Sequence, residues 1–132
     1  MKKALVIMAV FILLATGVLT GCSGTKTAVT FSEPGNTVDV AANKEFTISL
    51  QANPTTGYDW QPVFDAAYLS QVKKEYKQDD HSGVQLVGSG GTDFFTFKAL
   101  KAGQTQITLT YYRAWETPKP EDKQQVYNIT IK

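Results

Sequence analysis

The sequence holds one cysteine, Cys22, and one histidine, His81, among its 132 residues. A single thiol excludes an intrachain disulfide and any zinc site built from several cysteines. With one histidine, a nucleophile–base pair could only join a serine or threonine to His81, and no flanking motif supports one, so the chain does not read as an enzyme. Asp79, Asp80 and His81 run together without metal-ligand spacing and read as a solvated loop; neither a metal nor a cofactor is expected. Net charge is also scarce, at +1, and no basic cluster stands out. Nucleic acid is therefore a poor partner. Helical periodicity and internal repeats are absent as well.

Only one long apolar run is present, and it lies at the start. Lys2 and Lys3 precede Ala4 to Leu19, a run broken only by Thr16 and Gly17. It is shorter than the roughly 20 apolar residues of a membrane-spanning helix and has the layout of a secretory signal peptide. The residues Leu19-Thr20-Gly21-Cys22 that end it resemble the processing box of bacterial lipoproteins. That resemblance implies a leader over residues 1–21, acylation of Cys22, and a lipidated N-terminus and tether over residues 22–27. Acyl chains contribute about 0.8 kcal/mol per buried methylene, so two or more chains anchor stably. The expectation is an exported, membrane-anchored protein of the cell envelope whose single folded domain is residues 28–132.

That domain is written in short alternating segments. Phe46, Ile48 and Leu50 alternate with Thr47 and Ser49. Ile107, Leu109 and Tyr111 alternate with Thr108 and Thr110, and Tyr127, Ile129 and Ile131 with Asn128 and Thr130. A period of two marks strands with one buried face. Phe95 and Phe97 join them from a strand between Thr92 and Leu100. Weaker strand candidates are Ala28–Phe31, Thr37–Val40, Tyr58–Val63, Val72–Tyr76 and Val84–Val87. Proline, glycine and asparagine clusters separate them. The pattern predicts an all-β, immunoglobulin-like sandwich of roughly seven or eight strands, with a small closed barrel as the alternative. The Asn128-Ile129-Thr130 sequon falls within a strand.

Three loop segments carry the functional signal. In Asn53-Pro54-Thr55-Thr56-Gly57-Tyr58-Asp59-Trp60, Pro54 fixes its own φ and pushes Asn53 into an extended conformation. Gly57 permits the positive φ that ends a tight turn. Two β-branched threonines lie between them, so a rigid loop with a small, uncharged tip is expected, rooted by Tyr58 and Trp60. Gly88-Ser89-Gly90-Gly91 suits either a hairpin turn or close backbone approach by another chain. Arg113-Ala114-Trp115 follows the strongest strand, and Trp and Arg are enriched at interface hot spots. Trp115 could instead pack in the core, though its place beside Glu116, Thr117 and Pro118 favours exposure.

In this order the segments resemble the chagasin family of cysteine-protease inhibitors, over essentially the whole stretch from Thr37 to Ile131. Family members carry an Asn-Pro-Thr-Thr-Gly-aromatic loop, a glycine-rich loop and an Arg-Pro-Trp loop on an immunoglobulin-type sandwich. The resemblance implies a monomeric, reversible inhibitor that blocks the cleft of a papain-like cysteine protease. Its contact residues would be Asn53, Pro54, Thr55, Thr56, Gly57 and Tyr58, Gly88, Ser89, Gly90 and Gly91, and Arg113 and Trp115. One departure is plain: Ala114 stands where the family has proline. The competing reading is an envelope binding module, an adhesin or assembly lipoprotein, on the same sandwich.

Overall fold

A strand with one apolar face needs a second layer to bury it. The computed structural model describes residues 29–35, 37–80, 83 and 88–132. Through them run eight strands: β1 (Val29–Phe31), β2 (Thr37–Val40), β3 (Glu45–Ala52), β4 (Tyr58–Phe64), β5 (Leu69–Gln78), β6 (Gly91–Ala99), β7 (Gly103–Arg113) and β8 (Lys123–Ile131). The helical element among the described residues is a single 3-10 turn, Pro54–Thr56. Cys22, His81, Ala28 and the expected strand at Val84–Val87 lie outside the described residues.

The strands form two four-stranded sheets, ordered β1-β3-β6-β5 and β2-β8-β7-β4. Among the described residues neither sheet closes on itself, so the fold is a sandwich and not the closed barrel held open as an alternative. β1 pairs parallel with β3 and β2 parallel with β8; the other ladders are antiparallel. The inner faces are the alternating residues read from the sequence. Phe46 and Ile48, Phe95 and Phe97, Ile107 and Leu109, and Tyr127 and Ile129 are all buried. Each such side chain contributes about 1.5–3 kcal/mol on burial. Phe97 stacks on Phe46 with ring centroids 5.9 Å apart and meets Phe64 edge-on at 5.2 Å, which ties the two sheets together.

The strand that the sequence signalled least is β5. Only Leu69 in it is buried, the remaining residues are exposed, and its register shifts between Gln71 and Lys73. It forms a sheet edge, and Lys73, Lys74 and Lys77 along it discourage pairing with another chain. Without an apolar face its ends cannot be read from alternation, which is why it runs beyond the expected Val72–Tyr76. The expected strands Tyr58–Val63 and Thr92–Leu100 are likewise displaced by a residue at one end or both.

The register decides where the loops lie. Ala52 and Gln78 both pair with Gly91, so the β3–β4 and β5–β6 connections leave the first sheet at the same end. Tyr58 pairs with Arg113 and Tyr111 with Lys123, so the β7–β8 connection leaves the second sheet beside the start of β4. All three signal-bearing segments therefore sit at one pole of the sandwich.

Candidate functional site: three loops at one pole

The turn after β3 is built from its own sequence. Asn53 adopts φ −137° and ψ 88°, the extended conformation a following proline demands. The amides of Thr56 and Gly57 donate to the carbonyls of Asn53 (3.2 Å) and Pro54 (3.0 Å), closing the 3-10 turn. Gly57 ends it with φ 79°, in the left-handed region. The Asn53 side chain caps the turn: its Oδ1 accepts from the Thr55 amide at 3.3 Å and the Thr55 hydroxyl at 2.5 Å. Thr56 donates its hydroxyl to the Asn53 carbonyl at 2.7 Å. Both threonine hydroxyl protons are thus engaged within the loop. What the exposed tip offers a partner is small, uncharged and already ordered.

The base of this loop is an aromatic stack. Trp60 is buried and donates its indole N–H to the Gln51 carbonyl at 2.9 Å. Tyr111 lies against Trp60 at 4.8 Å and against Tyr58 at 5.4 Å. Its hydroxyl accepts from the Asn53 amide at 2.9 Å and donates toward the Asn53 carbonyl at 3.4 Å. The guanidinium of Arg113 also lies over the Tyr58 ring, at 4.7 Å.

Arg113 also donates from Nε to the Thr56 carbonyl at 3.3 Å and pairs with Glu116 at 3.4 Å. It therefore braces the first loop from the third. The Glu116 amide donates to the Arg113 carbonyl at 2.8 Å, which makes Arg113–Glu116 a β-turn. Ala114 is the second residue of that turn, where proline fits well, and the alanine leaves the turn's hydrogen bond in place. Trp115 follows, 72% exposed, so it is not a core residue. Its ring nonetheless covers Gly57: a Cβ built on that glycine would lie 2.5 Å from the Trp115 Cη2 atom. The first and third loops touch at this point.

The glycine-rich segment divides in two. Gly88, with φ 86°, accepts from the Asn53 Nδ2 at 3.3 Å, so the second loop is linked to the first. Ser89 accepts from Gln78 Nε2 at 2.6 Å, and the Gly90 carbonyl accepts from the Asp79 amide at 3.1 Å. Gly91 is a different case. It is buried as the first residue of β6, and a Cβ there would stand 2.3 Å from the backbone carbonyl oxygen of Lys77 and 2.5 Å from the Tyr76 hydroxyl. Its glycine is required by packing, whereas Gly88 to Gly90 form the surface of the loop.

Beneath the pole sits one buried carboxylate. Asp93 occupies the inner row of β6 with only 3% exposure. Burial pushes its pKa up; Lys74, 3.8 Å away, opposes the shift and Asp59 adds to it. Lys74 is also ion-paired with Asp59. This trio spans the edge where β4 of one sheet faces β5 of the other. It closes that edge with charge rather than with apolar side chains.

The sequence signals thus converge at one pole: Asn53 to Tyr58, Gly88 to Gly90, Arg113 and Trp115 are mutually linked. Two participants carry no such signal. Tyr111 shares the parity of Ile107 and Leu109 and reads as one more core residue; only its hydroxyl at a strand end hints otherwise. Glu116, which holds Arg113, is an ordinary turn residue in the sequence.

Comparison with known proteins gives the family. The profile of the chagasin family peptidase inhibitor I42 matches residues 39–131. Amoebiasin-2 of Entamoeba histolytica is 31% identical over 114 residues, covering 84% of this chain and 92% of its own length. Chagasin of Trypanosoma cruzi is 31% identical over 102 residues, covering 72% of this chain and 88% of its own. The crystal structure of a cysteine protease inhibitor from Entamoeba histolytica superposes with a TM-score of 0.68 at 30% identity, over 80% of this chain and 94% of that one. On the family match, the length of chain shared with these relatives and the common fold, the chain belongs to the chagasin family of peptidase inhibitors.

Proposed function

We propose that the chain acts as a reversible plug for the active-site cleft of papain-like cysteine proteases, with no chemistry of its own. The observation that carries this reading is the cross-linked pole. An ordered, uncharged turn, Pro54–Thr56, projects between two flanking loops to which it is hydrogen-bonded through Asn53 and Arg113. A neutral tip can enter a narrow cleft without stranding a charge, and an ordered one loses little conformational freedom on docking. The loops at Gly88 to Gly90 and Arg113 to Trp115 would grip the rims and widen the contact toward the ~800 Å² per partner of a standard interface. The family is one of inhibitors, not of enzymes, which accords with this passive role.

The soluble fragment Ser23–Lys132 is expected to inhibit papain and to leave trypsin untouched, measured as residual activity against inhibitor concentration. Failure against papain, or equal potency on both, overturns the reading. The proposal includes attachment to the cell envelope through acylated Cys22, supported by Leu19-Thr20-Gly21-Cys22 behind a basic and then apolar leader. Mass spectrometry of the mature N-terminus should find diacylglycerol on Cys22. A mature N-terminus at another residue removes the anchor from the account.

A further inference from the structure

We infer that Tyr111 is a positioning residue for inhibition: it sets the aim of the wedge turn without itself touching the protease. The inference rests on the wedge assignment proposed above. Tyr111 is half-buried at the end of β7, one turn of side-chain alternation before Arg113. Its hydroxyl holds both backbone groups of Asn53, the N–H at 2.9 Å and the C=O at 3.4 Å. Asn53 in turn caps Thr55 and reaches Gly88 of the second loop. Two residues along β7, Arg113 holds the far end of the turn at the Thr56 carbonyl. The turn is therefore clamped at Asn53 and at Thr56 by two side chains of one rigid strand, and Tyr58, lying between them, contacts both. A loop fixed at both ends to a strand of the central ladder keeps its docking geometry before the partner arrives, and small misplacements of such a group are costly.

The test is Tyr111→Phe, which keeps the ring stack and removes both hydrogen bonds. The variant should weaken papain inhibition about tenfold, the scale of losing preorganisation rather than a contact. A double-mutant cycle supplies the discriminating readout. With the tip truncated by Thr55→Ala and Thr56→Ala together, Tyr111→Phe should have almost no further effect. In a Trp115→Ala background its tenfold effect should persist. Amide hydrogen exchange of the free protein gives an independent check. Exchange should quicken at the amides of Asn53, Thr55, Thr56 and Gly57 in Tyr111→Phe, while amides of β7 and β8 keep their rates. The inference is overturned by unchanged inhibition in Tyr111→Phe, by an equal loss in both backgrounds, or by faster exchange throughout the second sheet. If the threonine truncation alone leaves inhibition intact, the wedge assignment itself fails, which is a separate result.

Discussion

Gly57→Val should reduce inhibition of a papain-like protease by more than about a hundredfold while the sandwich remains folded. Two independent causes act at one atom. Gly57 holds φ 79°, a conformation that a β-branched residue resists strongly. Strain of this kind amounts to about 1–3 kcal/mol at a single position. The new Cβ would also stand 2.5 Å from the Trp115 ring, so the tryptophan must swing away from the turn. The substitution thus displaces the tip and one flank together. A hundredfold loss corresponds to about 2.7 kcal/mol, within reach of the combined effects. The core is remote from the change, so far-UV circular dichroism should be retained and melting should fall only modestly. Inhibition within threefold of the unmodified chain would show that the turn's conformation does not govern binding.

Trp115→Ala separates interface from core more cleanly still. The side chain is 72% exposed, and its removal uncovers little of the sandwich beyond Gly57. The melting temperature should stay within about a degree or two, since surface substitutions outside special features change stability by under ~0.5 kcal/mol. Inhibition should weaken about thirtyfold, as expected when a hot-spot tryptophan worth about 2 kcal/mol is lost. The opposite pattern, a drop of several degrees with unchanged inhibition, would make Trp115 a structural brace. Thermal melts and inhibition constants on the same preparations distinguish the outcomes.

Much of this arrangement is legible in the residues, for identifiable reasons. Strands such as β3, β7 and β8 bury one face and expose the other, so their alternation records both type and extent. The turn at Pro54–Thr56 is legible because proline and glycine restrict or permit backbone angles locally, whatever surrounds them. What escapes is what depends on contact between distant segments. The parallel pairing of β1 with β3 and of β2 with β8 leaves no periodic trace. Gly91 reads as a loop glycine because the reason for it, the backbone carbonyl of Lys77 with the phenol of Tyr76 beside it, comes from a neighbouring strand. Asp93 interrupts an apolar row and is intelligible only beside Lys74 and Asp59. Tyr111 passes for a core residue until its hydroxyl is seen on the Asn53 backbone. The bracing by Arg113 escapes for the same reason: its guanidinium is engaged with Thr56, Tyr58 and Glu116, which come together only in the fold.

The central claim is that the turn between Pro54 and Gly57 occupies the cleft as a wedge and is not presented as a substrate. A protease cuts a segment lying extended across its cleft with a carbonyl in line for attack. Here the Pro54 carbonyl accepts from the Gly57 amide and the Thr56 carbonyl from Arg113, so the backbone is curled and both of these acceptors are in use. Geometry of this kind changes rates by orders of magnitude. The measurement is intact-mass analysis of the Ser23–Lys132 fragment recovered after long incubation with excess active papain, at neutral and at acidic pH. The account predicts one species of unchanged mass from an incubation in which papain was inhibited throughout. Rapid appearance of fragments cut between Pro54 and Tyr58 would show a slow substrate in place of a wedge.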